Sequence, residues 1–83
     1  MPSKIFVGNL PFSVDNHQLE EAFKSFGEVI SAKVIQDRRT GRSRGYGFVE
    51  FSEQTAAEAA VDGKNGQEMS GRKLTVSLAK KQE

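Results

Sequence analysis

Arg44 to Phe51 reads Arg-Gly-Tyr-Gly-Phe-Val-Glu-Phe, with bulky apolar groups at both even and odd positions. Side chains on a strand alternate between faces. Gly47, Val49 and Phe51 therefore point one way, and Tyr46, Phe48 and Glu50 the other. Such a strand asks for cover on both sides, and the chain has little cover to give. Its 83 residues suit one domain with a thin core that buries about 60% of the extended surface. With 36% hydrophobic and 28% charged residues, the chain reads as soluble and globular. We expect one domain over residues 1–83, with a core from about 3 to 80.

The rest of the sequence supplies the packed side. Ile5-Phe6-Val7 is a short β-type run stopped by Gly8-Asn9-Leu10-Pro11. Asp15 reads as a helix N-cap, and Gln18 three residues later completes a capping box. Leu19, Ala22, Phe23 and Phe26 form one helical stripe, and Gly27 sits where a glycine stop belongs. Val29 to Ile35 predicts a second strand and Asp37 to Ser43 a polar, basic turn. Arg44 to Phe51 is the third strand. Ser52 is placed to cap an alanine-rich helix over roughly Glu53 to Asp62. Asn65-Gly66 and Ser70-Gly71 punctuate a loop, and Lys73 to Ala79 is a fourth strand with Leu74, Val76 and Leu78 on one face.

The order β-α-β-β-α-β predicts an α+β, ferredoxin-like sandwich. Right-handed crossovers put two helices on one face of a four-stranded antiparallel sheet. The helices need an apolar surface, and Ile5, Val7, Val34, Val49, Phe51, Leu74 and Val76 provide it. Phe6, Tyr46 and Phe48 are left on the other face, clustered because the first and third strands are central neighbours. Only Lys80 to Glu83 follow the last strand, too few to form a covering helix. Gly45 and Gly47 flank Tyr46, and Gly8 follows the first strand; they relieve crowding where another backbone or a helix comes close. No helix follows Gly45-Tyr46-Gly47, so it is not a dinucleotide fingerprint.

Charge is segregated. Residues 15–26 hold three acids against one base, and residues 52–62 three acids and no base. The chain totals +1, which leaves +6 for the remainder. The bases are densest at Arg38, Arg39, Arg42 and Arg44, and Lys4 and Lys33 lie on or beside the ring face. Flat rings among cations suit a single-stranded nucleic acid, because every base offers a π-face and every linkage a phosphate.

Other chemistry is excluded by composition. There are no cysteines and one histidine, His17, which removes thiol nucleophiles, disulfides and His- or Cys-rich metal sites. No carboxylate pair or Ser–His–Asp set is apparent. We expect no catalytic residue, metal or cofactor. No apolar run approaches the ~20 residues of a membrane span, and the N-terminus lacks a secretory h-region. The expected location is cytoplasmic.

Ile5-Phe6-Val7-Gly8-Asn9-Leu10 and Arg44-Gly45-Tyr46-Gly47-Phe48-Val49-Glu50-Phe51 resemble the hexamer and octamer motifs of the RNA recognition motif family. Leu19 to Gly27 and Gly71-Arg72-Lys73-Leu74-Thr75-Val76 fall where that family has its first helix and last strand, so the resemblance covers about the whole chain. The short form is similar to single-domain bacterial and organellar members. The resemblance implies a domain that binds single-stranded RNA, with single-stranded DNA the alternative, for post-transcriptional regulation or RNA chaperoning. It implies that Phe6 and either Tyr46 or Phe48 stack on successive bases, or that one ring packs on ribose. Arg44 meets a phosphate, Lys33 and Ile35 line the second strand's part, and Ser77, Ala79 and Lys80 border the far end. Phe51 belongs to the octamer but is core by parity. Lys64 departs from the apolar residue usual in the family, which loosens packing at the end of the second helix.

Two other classes compete. A protein adaptor on this fold tends to lose the sheet aromatics or to carry an Arg-x-Phe signature in its last loop; this chain keeps the rings and lacks the signature. The helical face finds no support as a protein contact, and a monomer is expected. An acylphosphatase-like enzyme needs an arginine-bearing phosphate loop after the first strand, and Gly8 to Ser13 has no base.

Overall fold

The computed structural model describes residues 2–41, 43–69 and 71–79, without the side chains of residues 43 and 44. Its elements are β1 (Ser3–Gly8), α1 (Asn16–Phe23) with a 3-10 turn (Lys24–Phe26), β2 (Val29–Gln36), β3 (Ser43–Phe51), α2 (Gln54–Lys64), β4 (Glu68–Met69), β5 (Arg72–Lys73) and β6 (Thr75–Ala79). The main sheet is antiparallel in the order β2-β3-β1-β6, so β1 and β3 are the central pair, as expected of the ferredoxin-like order. Ile5, Val7, Val34, Val49, Phe51, Leu74 and Val76 from the sheet pack with Leu19 and Phe23 of α1 and Ala56, Ala57 and Ala60 of α2 in one core. Both helices therefore lie on one face of the sheet.

α1 begins as the sequence predicts. The Gln18 amide donates to Asp15 Oδ1 at 2.8 Å, and the Asp15 amide donates to Gln18 Oε1 at 3.1 Å, which satisfies two donors that helix geometry leaves open. Its far end differs. The α-helix stops at Phe23 and tightens into the 3-10 turn before Gly27. The need for glycine at position 27 comes from α2: a Cβ there would stand 2.5 Å from the Ala56 Cβ. Gly63 is used in the same way, since a Cβ there would meet the Phe26 ring at 2.7 Å. Two glycines thus let the helices meet closely above the sheet.

α2 departs from expectation at its start. Glu53, not Ser52, holds the N-cap position, and no side chain caps it. The Ser52 amide instead donates to the Glu28 carbonyl at 3.1 Å, tying the β3–α2 corner to the start of β2. The helix runs two residues past Asp62, and Lys64 is half-buried in its last turn.

The predicted fourth strand is divided. Arg72–Lys73 pairs with Glu68–Met69 in a separate two-stranded ribbon, and only Thr75–Ala79 joins β1. The backbone turns at Leu74, whose amide donates to the Gln67 carbonyl at 2.8 Å. Leu74 and Val76 are buried, but Leu78 is 41% exposed, because it sits at the end of an edge strand.

Candidate nucleic-acid interface

Register assembles the face opposite the helices. Directly opposed residues of an antiparallel pair project to the same side. Phe6 lies opposite Phe48 on β3 and Ser77 on β6, and Phe48 lies opposite Lys33 on β2. Gly8 lies opposite Tyr46 and Thr75. One face therefore carries Phe6, Tyr46 and Phe48, with Lys33 on one flank and Ser77 on the other. At its far end Lys4 lies opposite both Glu50 and Ala79.

The rings touch one another. Phe6 lies 5.6 Å from both Tyr46 and Phe48, and Tyr46 lies 6.5 Å from Phe48. These separations fall within the favourable range for aromatic pairs. Each ring is half-buried by its neighbours. Phe6 and Tyr46 are inclined by 37°, whereas Phe48 stands at 67° and 84° to them. Three flat groups laid on these rings would be turned relative to one another.

Glycines permit the cluster. A Cβ at Gly47 would meet the Lys33 carbonyl oxygen at 2.5 Å and Leu19 Cδ2 at 3.1 Å. This is the close approach of a backbone and a helix that the sequence predicts. Gly8 answers to a different neighbour. A Cβ there would be 2.9 Å from the Phe6 ring, so Phe6 leans along its own strand toward Tyr46. Gly45 has φ +86° where the β2–β3 register shifts, a left-handed conformation that a bulge glycine adopts cheaply.

The basic positions are less uniform. Lys4 and Lys33 are exposed on the ring face. Arg38 and Arg39 are exposed in the β2–β3 turn, which is closed by the Gly41 amide on the Asp37 carbonyl at 2.7 Å and the Arg39 amide on Asp37 Oδ1 at 2.8 Å. Ile35, half-buried, joins Tyr46, Gln36, Asp37, Arg38 and Arg39 around a recess of about 520 Å³ at the edge of the rings. Ser77 is exposed and Ala79 half-buried along β6. Arg44 lies in β3, but its side chain is outside those described, and Arg42 and Lys80 lie outside the described residues.

Sequence reasoning passed over one neighbouring pair. Arg72 Cζ sits 5.6 Å from the centroid of Phe12, a ring that is 65% exposed. Phe12 belongs to none of the apolar stripes, and an aromatic outside every periodic pattern was the available signal. The described residues contain no group of three or more His, Asp or Glu able to hold a metal, and no helix among them is long and apolar enough to cross a membrane.

Comparison with known proteins agrees with this geometry. A family model described as the RNA recognition motif matches residues 5–75. Glycine-rich RNA-binding protein 4, mitochondrial, of Arabidopsis thaliana is 52% identical over 79 residues, which are 95% of this chain and 58% of that protein. Glycine-rich RNA-binding protein 7 of the same plant is 49% identical over 76 residues, covering 92% of this chain and 43% of that one. The chain thus spans about half the length of these curated relatives. Among solved structures, RNA binding protein PG1 superposes with a TM-score of 0.92 at 43% identity over 98% of both chains. The Rna15 RRM with bound RNA (GU) superposes with a TM-score of 0.85 at 29% identity, over 94% of this chain and 83% of that one.

Proposed function

The chain belongs to the RNA recognition motif family, and we propose on that premise that it binds single-stranded RNA across the open face of its sheet. The observation that carries this reading is the cluster of Phe6, Tyr46 and Phe48, mutually within 6.5 Å and turned away from both helices. Bases stack on two of the rings, and the third packs on a base or a ribose. Lys4, Lys33, Arg38, Arg39 and Arg44 hold the phosphates, with Arg42 in the same turn. Ile35 supports the strand at the recess beside Tyr46. Ser77, Ala79 and Lys80 border the other end, where backbone groups meet base edges. The solved relative that carries a GU-containing RNA supports the choice of ligand.

The protein acts as a monomer, and single-stranded DNA competes more weakly because it lacks the 2′-hydroxyl. Post-transcriptional regulation or RNA chaperoning follows from such binding. We place it in the cytoplasm; two relatives are named as mitochondrial, and fractionation of the tagged protein decides between the two.

The direct test is competition between a short single-stranded RNA pool and the same sequences annealed to their complements. Unpaired RNA should win, since paired bases cannot reach the rings. Equal affinity for the duplex would remove this reading. With about three phosphates neutralised, log affinity should fall with log salt at a slope near −2, from about −0.7 per phosphate.

A further inference from the structure

We propose that Asn65, followed by Gly66, is a covalent modification site: it deamidates through a cyclic imide whenever residues 65–74 lift from the fold, and the closed fold suppresses the reaction. The inference is independent of RNA binding.

Of the three asparagines, Asn9, Asn16 and Asn65, only Asn65 is followed by glycine. Asparagine is thermally labile, and a glycine after it has no Cβ to obstruct its own peptide nitrogen. In an open chain the Gly66 nitrogen loses its proton to a base and attacks Asn65 Cγ. A C–N bond forms, the Cγ–Nδ2 bond breaks, and ammonia leaves with a proton taken from water. Water then opens the five-membered imide at either carbonyl. The products are aspartate and isoaspartate, and nothing is oxidised or reduced.

The fold requires both residues where they stand. Gly66 has φ +83°, and a Cβ there would meet nothing within 4 Å, so backbone conformation and not a neighbour demands glycine. Asn65 is the C-cap of α2, and its Oδ1 accepts from the Val76 amide of the edge strand β6 at 3.0 Å. A labile pair is thus built into the joint between helix and sheet.

The same joint engages both reacting groups. The Gly66 amide, the nucleophile, donates its proton to the Leu74 carbonyl at 2.9 Å. The Asn65 amide donates to the Val61 carbonyl at 3.0 Å, while Val76 holds Oδ1. A donor on Oδ1 would steady the oxyanion of attack, but a nitrogen whose proton is bonded to Leu74 does not make that attack. Release requires residues 65–74 to lift. Among the described side-chain bonds, two tie this segment to the rest of the protein. One is Asn65 to Val76. The other is Asn9, whose Nδ2 donates to the Lys73 carbonyl at 2.6 Å and whose Oδ1 accepts from Arg72 Nη2 at 2.7 Å. Apart from buried Leu74 and half-buried Met69, the described residues of the segment are exposed, and such segments open at low cost. Isoaspartate adds one carbon to the backbone at the helix end, so the bonds to Val61, Leu74 and Val76 cannot all be remade. Each event is a lasting record of an opening.

The test ages the whole protein at mildly alkaline pH, in buffer and in urea, and maps the tryptic peptide 65–72 by mass and retention. In urea Asn65 should convert to aspartate and isoaspartate faster than Asn9 and Asn16 do. In buffer the conversion should be slower by about tenfold or more, in step with the hydrogen-exchange protection of the Gly66 amide. Asn9→Gly removes the second tie without strain, since Asn9 holds φ +60°. Its rate in buffer should lie between the two while circular dichroism shows a folded chain; Arg72→Ala serves the same comparison if Asn9→Gly does not fold. If Asn65 is no faster than the other asparagines in urea, the modification site is refuted. Equal rates in buffer and urea would refute suppression by the fold. A folded variant that matches wild type in buffer would refute opening of this segment as the route.

Discussion

β3 carries large aromatic groups on both of its sides, and they meet opposite fates. Phe51 is wholly buried beneath the helices, while Phe48, three residues earlier, is half-exposed among two other rings. The side chains are chemically identical and the backbone between them is a regular strand. The difference lies in what stands above each. Glycine and alanine at positions 27, 56 and 63 let two helices close over the Phe51 side. On the Phe48 side, among the described residues, the rings pack against one another and no helix lies above them. The same chemistry thus acts as packing on one side of the sheet and, on the proposed reading, as a contact surface on the other.

Mutation should separate the two sides. Phe51→Ala should cost about 3–5 kcal/mol of stability. That is much of the total for a domain this small, and urea denaturation should show it with binding lost alongside the fold. Phe48→Ala should behave in the opposite way. Its stability should fall by only about 1 kcal/mol, through the lost ring pairs, while RNA affinity measured by anisotropy drops about 5- to 150-fold. Comparable stability losses in the two variants would erase the contrast between the faces. The smallest effect sharpens it: Lys33→Gln should leave denaturation unchanged and make the salt slope less negative by about 0.7, the signature of one phosphate contact.

Features that rest on short-range pattern were legible. The Asp15–Gln18 capping box, the helical stripe of Leu19, Ala22, Phe23 and Phe26, and the parity that divides Phe6, Tyr46 and Phe48 from Val49 and Phe51 all need only a few residues to declare themselves. So did the order β-α-β-β-α-β. Ser52 misled because a serine before a helix is a sound local signal, yet the helix starts one residue later with Glu53 at the N-cap, and the Ser52 amide ties the corner to the Glu28 carbonyl just before β2. The division of the last strand was hidden for a similar reason. Glu68–Met69 is too short to show a period, and it exists only as the partner of Arg72–Lys73.

Alternation along the strands and periodicity along the helices already divided the side chains into two sets, because backbone geometry sends neighbours to fixed sides whatever else happens. Which glycine answers to which neighbour depends on contacts across the fold. Gly27 meets Ala56, Gly63 meets Phe26, and Gly8 meets the ring of Phe6. The Phe12–Arg72 pair is a further case, joining residues 60 positions apart through Asn9. Contacts of that kind are set when packed elements bring distant segments together, and no local pattern records where those segments will land.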